Sequence, residues 1–369
     1  MPFGSEGVEP GISLALSGGG FRATLFHIGS GWRLLELGVL RRVARISSVS
    51  GGSIFSGTLA SRWEELTRDF SVSNYQRLVV EPLRQFCRLP IDAVAIGEGL
   101  LTPWKTVSDA IESKYREMLF QSSLDRLVDS PCFVFNATNL QTGRSFRFSK
   151  PYMGDYRIGL IRNPNLSLAK VVAASSAFPP FLSPVIIDHP GQFEAVEGAD
   201  LNGRPEYTER LFLSDGGVYD NLGLETVWNR YQTVLVSDAG APFSIGDKVE
   251  TDWVKQTLRA LDVATDQSRA LRKRALIDDF KRNVRSGTYW GIDTRIANYQ
   301  LPTAMLCADE IVKPLAKIRT RLNPFDEVEQ EQLINWGYAL CDAAVRTHAP
   351  QIVDIQAPPQ WPCPRHPLG

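Results

Sequence analysis

The chain has 369 residues, of which 43% are hydrophobic and 22% charged, the profile of a globular protein with room for one large α/β domain or two ordinary ones. Its formal net charge is −1, which gives no general attraction to nucleic acid polymers or anionic membranes. Five scattered cysteines without a Cys-x-x-Cys pair, and only four histidines (His27, His189, His348 and His366), provide no pattern for zinc or redox chemistry.

The segment Met1–Glu6 lacks the basic start and apolar run of a signal peptide. No stretch approaches the roughly 18 uninterrupted apolar residues of a membrane span. The expected location is therefore cytoplasmic, with at most peripheral contact with membranes. Ile12–Leu16 reads as a short buried strand, ending in Ser17-Gly18-Gly19-Gly20. A helix follows over about Phe21–Leu37, with Leu25, Ile28, Trp32 and Leu35 at near-helical spacing and Gly38 as a stop. Ala44–Val49 is a second strand, broken by Ser50-Gly51-Gly52 before another helix to about Trp63. Strand, loop, helix, strand, turn, helix is the signature of a parallel sheet with flanking helices.

From about Glu64 to Ser130 the pattern is mainly helical with no clean strand, an insertion of the kind that covers active sites. Phe133–Ala137 and Ser145–Phe148 read as strands joined across Thr142-Gly143, and Leu168–Ala177 as a short helix ended by Phe178-Pro179-Pro180. Arg210–Leu213 and Thr233–Val236 are later strands, with a helix between them starting near Asn221. Trp253–Asp279 and Val328–Arg346 are helical, and the proline-rich tail from Ala357 is irregular.

Three short motifs carry chemistry. Ser48-Val49-Ser50-Gly51-Gly52 lies between a strand and a helix. Ester hydrolysis by serine needs the oxygen at the apex of a tight turn, with small residues two positions either side. Ser48 stands where the usual pattern has glycine. Ser47, Ser48 and Ser53 are rivals, but only Ser50 has glycine at +2 and a small residue at −2. Ser17–Arg22 places consecutive glycines at a helix start, where backbone N–H groups and the helix dipole converge. That nest suits an oxyanion or a phosphate; the absence of a Gly-Lys-Ser/Thr or a full Gly-x-Gly-x-x-Gly weakens the nucleotide reading. Arg22 could orient the loop or meet a phosphate headgroup. Asp215-Gly216-Gly217 ends a strand, where Asp215 could act as general base toward Ser50; an ordinary Asp-Gly turn is the competing reading. Asp220 and Asn221 read as caps of the next helix. His27 falls on the first helix and reads as structural, and none of the four histidines has motif support as a triad base.

In this order, Ser17–Arg22, Ser48–Gly52 and Asp215–Gly217 resemble the three signature elements of patatin-like phospholipases. Ala173–Pro180 is similar to that family's Ala-Ser-x-Ala-x-Pro block. The resemblance spans about 12–238 and does not extend to the C-terminal third. It implies a three-layer α/β fold, with a central, mainly parallel sheet flanked by helices, a helical insertion and a helical C-terminal region. It further implies a single catalytic domain over 1–369, with a core of about 12–240 and a helical extension of about 250–350. Carried over residue by residue, it makes Ser50 the nucleophile, Asp215 the base, and the Gly18, Gly19 and Gly20 backbone the oxyanion donors, with no catalytic histidine, no metal and no cofactor. The implied substrate is a glycerophospholipid or other acyl ester, met at a transient membrane surface. Phe178–Leu182 and Gly99–Trp104 are candidate apolar contacts for it, and core packing explains either equally well. A catalytically silent module, an effector gated by a signal or small nucleotide, and a Ser-His-Asp esterase are the alternatives. The oligomeric state is left open.

Overall fold

The computed structural model describes residues 7–91, 107–180, 182–246, 249 and 251–369. Among them ten strands form one sheet: β1 (Glu9–Leu16), β2 (Val43–Val49), β3 (Cys132–Asn139), β4 (Arg144–Phe148), β5 (Tyr152–Asp155), β6 (Gly159–Arg162), β7 (Val185–Asp188), β8 (Arg210–Asp215), β9 (Tyr231–Asp238) and β10 (Ser286–Gly291). The order β10-β9-β1-β2-β3 is parallel throughout, and β4, β5 and β6 extend it antiparallel. β8 pairs antiparallel with β3 on one side and with β7 on the other.

The register along β3 positions the site. Its first half bonds β2, ending with Val49 opposite Asn136. Its second half bonds β8, with Asp215 opposite Ala137. Two strands running toward each other therefore end at adjacent positions of a third. The residue after Val49 is Ser50, so nucleophile candidate and carboxylate meet where the strands meet.

The helices used below are α1 (Gly20–Glu36), α2 (Gly51–Ser61), α3 (Val107–Met118), α4 (Leu168–Ser175), α5 (Gly217–Asp220), α6 (Trp253–Lys281) and α7 (Glu327–His348). Side chains of β1 alternate between faces, as the pleat requires. Ile12, Leu14 and Leu16 join the main core with α1, α2 and α7, while Ala15 joins a second cluster with Val234, Val236 and Leu276 of α6. Helices on both faces of the sheet make three layers. α1 is buried over all but its last residue because it lies against both the sheet and α7. The two helices touch backbone to backbone: a Cβ on Gly29 would overlap the Ile334 carbonyl, and one on Gly337 the Phe26 carbonyl. A reciprocal capping box between Asp326 and Glu329 fixes the start of α7.

Several expectations are corrected. β5, β6, β7 and β10 are strands that periodicity does not reveal; the first three have four residues each. β10 carries glycine at both Gly287 and Gly291 and so has little strand propensity. No helix starts near Asn221. The short α5 ends at Asp220, whose carboxylate accepts from Leu222 N at 3.2 Å and Glu225 N at 3.0 Å and folds the chain into turns. The candidate contact Gly99–Trp104 lies outside the described residues.

Gly29→Val should destabilise the fold by about 3 kcal/mol, since the α1–α7 contact has no space for a side chain. A urea unfolding midpoint equal to wild type would contradict this packing.

Candidate active site

Ser50 connects β2 to α2 at φ 52° and ψ −120°, a conformation costing a non-glycine residue about 1–3 kcal/mol. Four hydrogen bonds hold it there. Its N–H donates to the hydroxyl of Ser175 at 3.1 Å and to the Ser175 carbonyl at 3.2 Å. Its carbonyl accepts from Ser53 N at 2.8 Å and Ile54 N at 3.1 Å. Glycine follows for a steric reason. A Cβ on Gly51 would overlap the Gly20 carbonyl, and one on Gly52 would lie 2.7 Å from the Leu16 and Ser17 carbonyl oxygens.

Ser48 fits where glycine is usual because its hydroxyl is absorbed: it donates to the Val134 carbonyl at 3.4 Å and accepts from Ser53 at 3.0 Å. Ser53 also lies 2.8 Å from the Ser175 hydroxyl, which donates to the Asn136 carbonyl at 2.7 Å. Ser47 donates to the Gly223 carbonyl at 2.6 Å. These rivals are fully buried with committed hydroxyls, whereas Ser50 keeps 8% of its surface exposed.

Asp215 is almost fully buried at the end of β8. Its Oδ1 accepts from Gly217 N at 2.7 Å, and Oδ2 completes no hydrogen bond among the described residues. Burial pushes its carboxyl up from 3.8 to about 6, against the opposing pull of the Gly217 N–H and the Ser50 hydroxyl. The Ser50 hydroxyl is thus close enough to act on the carboxylate while leaving Oδ2 without a completed bond.

The glycine loop lies beside Ser50: a Cβ on Gly18 would stand 3.0 Å from Ser50 Cβ. The Gly18 N–H is already committed to the Asn221 carbonyl at 3.0 Å, which removes it from the expected donor set. The N–H groups of Gly19 and Gly20, at the start of α1, have no acceptor among the described residues. Arg22 is buried and faces no headgroup: it donates to the carbonyls of Ala239 at 2.7 and 3.2 Å, Ala316 at 3.0 Å and Ile318 at 2.8 Å. It orients the loop. Burial lowers its guanidinium to about 10, so it stays charged at neutral pH.

His27 is sealed inside, with Nε2 2.9 Å from the Ser17 carbonyl and Nδ1 2.9 Å from Ser237 Oγ. A carbonyl can only accept, so Nε2 carries the proton. Burial holds the ring at about 4, neutral at physiological pH. His189 follows β7, His348 ends α7, and His366 bonds Glu331. The residues that sequence reasoning missed are Ser175, which ties Ser50 to Gly216 and β3, and Asn221, whose side chain fills the space in front of Gly18 and Gly217. The hint for Ser175 was its place in the Ala173–Pro180 block. Asn221 had none beyond its capping propensity.

A model of the patatin-like phospholipase family matches residues 14–228, more than half of the chain. The chain belongs to the patatin-like phospholipase family. No protein with a curated description matches this patatin-like chain in sequence. Among solved structures it is similar to human GIVD cytosolic phospholipase A2 in complex with methyl γ-linolenyl fluorophosphonate, at 14% identity and a TM-score of 0.49, covering 90% of this chain and 57% of that one. VipD from Legionella pneumophila is similar at 14% identity and a TM-score of 0.33, over 94% of this chain and 66% of that one. The patatin-like chain thus spans less than two thirds of the length of either. Among the described residues no helix is long and apolar enough to cross a membrane, and no three His, Cys, Asp or Glu side chains are grouped to hold a metal ion.

The two buried groups have opposite pH signatures. Asp215 binds its proton more tightly folded than unfolded, so its stabilising contribution is present below about pH 4 and lost as pH rises through about 6. His27 binds its proton less tightly folded, so its contribution is present above 6.5 and lost as pH falls through about 4. Asp215→Asn should therefore raise unfolding free energy at neutral pH by about 3 kcal/mol, and by little below about pH 4. Urea titrations at both pH values check it; an Asn variant less stable than wild type at neutral pH would refute the burial argument.

Proposed function

We propose that the chain is a lipid acyl hydrolase that cleaves carboxylic esters of glycerophospholipids through an acyl-enzyme on Ser50. The observation that carries this is the meeting of a strained serine with a buried carboxylate oxygen that completes no hydrogen bond among the described residues. Family membership supports lipid as the substrate class. In this mechanism Ser50 Oγ attacks the ester carbonyl as its proton passes to Asp215. Burial makes that carboxylate a stronger base than an ordinary aspartate. The N–H groups of Gly19 and Gly20, with the α1 dipole behind them, stabilise the oxyanion, at about 3–4 kcal/mol for a donor. Asp215 returns the proton to the departing alkoxide, which leaves as the lysolipid. Water then attacks the acyl-enzyme with Asp215 again as base, releasing the fatty acid and the Ser50 hydroxyl. His27 takes no part, because its neutral ring is committed on both nitrogens.

Near-complete burial of Ser50 and Asp215 favours a second element, gated access. Two hollows among the described residues, beside His189 and beside Arg62, are lined by neither residue. Phe178, 47% exposed, follows Ala177, whose carbonyl accepts from Asp215 N at 2.9 Å. An apolar ring so placed suits contact with an acyl chain or bilayer as the site opens.

Ser50→Ala and Asp215→Asn should each lower fatty-acid release from phosphatidylcholine vesicles by about a thousandfold or more. Full activity in either variant would sink the dyad. For the wild type, kcat/KM should fall as pH drops below about 6, where Asp215 takes up its proton. A fluorophosphonate probe should label Ser50, and faster with vesicles present; equal rates would remove the gating element.

A further inference from the structure

We propose that the hollow between the ends of α2, α3 and α4 is a binding site for a phosphorylated polyol, separate from the Ser50 site. The hollow has a volume of about 600 Å³, within the usual range for a small-ligand site. Its lining includes three arginines, Arg62, Arg116 and Arg126, and no carboxylate side chain. Hydroxyl and amide groups complete it, among them Ser61, Asn165 and Ser167.

The cations are under-used. Arg62 makes no direct ion pair among the described residues and acts on Glu65 through its charge. Among the described residues Arg126 pairs only with Asp125, at 3.6 Å, beyond hydrogen-bond reach. Arg116 spends one nitrogen on Glu112, leaving most of its fork free. Ser167 is the N-cap of α4, yet its hydroxyl caps nothing. The Ala169 and Lys170 N–H groups, in the first turn of that helix, have no acceptor among the described residues. A helix start and several guanidinium forks around one hollow are what phosphate oxygens require. The two apolar lining residues, Leu119 and Phe120, are themselves buried, so no open aromatic face offers stacking to a nucleobase. Serine, asparagine and glutamine side chains instead match the hydroxyls of a polyol. The same chemistry is presented by a free sugar or inositol phosphate and by a phosphoinositide headgroup.

The test is isothermal titration of the full chain with inositol trisphosphate, beside flotation with phosphatidylcholine vesicles carrying or lacking phosphatidylinositol bisphosphate. Saturable binding weakened at least about tenfold by Arg62→Ala combined with Arg126→Ala is the expected result. Binding of the soluble trisphosphate assigns the site to a free polyol phosphate. Capture by the bisphosphate vesicles alone assigns it to a membrane headgroup. Binding to neither, or binding unchanged in a double variant with a wild-type melting midpoint, overturns the proposal. Should the double variant fail to fold, the single exposed charge reversal Arg62→Glu decides by the same readout.

Discussion

Everything at the Ser50 site depends on one edge of β3. That edge is hydrogen-bonded first to β2 and then, past the end of β2, to β8 running the other way. Asn136 and Ala137 are therefore the ruler against which Val49 and Asp215 are set. A slip of one residue in either pairing would turn every side chain of that strand to the opposite face and separate serine from carboxylate. β3 itself is buried along nearly all its length, and β4 on its far edge keeps it in place.

Around this junction the molecule accepts local cost for geometry. Ser50 sits at a positive φ and Asp215 is kept from water. What holds them is a relay of short serine contacts, Ser48 to Ser53 to Ser175 to the Asn136 carbonyl. Ser48 and Ser175 each donate and accept, and Ser53 donates to Ser48, so each hydroxyl has a partner at depth. The same relay explains why a serine is tolerated two positions before Ser50. Strain stored at a site over-determined by its neighbours is the usual form of preorganisation.

Much of this was legible in the residues. The first strand-loop-helix unit, the turn at Ser50, the β3–β4 hairpin and the two long C-terminal helices follow from periodicity and glycine placement. The antiparallel entry of β8 does not. A parallel sheet was the natural reading for Asp215, because nothing in Arg210–Asp215 reports its direction, and direction is set by pairing with β3 far away in sequence. The narrowing of the glycine donors was equally hidden, since it rests on a carbonyl of Asn221 that local propensity assigns to a helix cap. β5, β6 and β7 are too short, and β10 too rich in glycine, for a period to register; tertiary pairing makes them strands.

Arg22 binds the carbonyls of Ala239, Ala316 and Ile318, so the loop of the N-terminal family core is anchored by residues beyond the matched span of 14–228. A ribosome delivers the chain from the other end. Serine, carboxylate and glycine loop all emerge long before the segment that receives the arginine, and a buried guanidinium without its acceptors cannot settle. The candidate site is thus unfinished until the segment carrying Ala316 and Ile318 has itself been made.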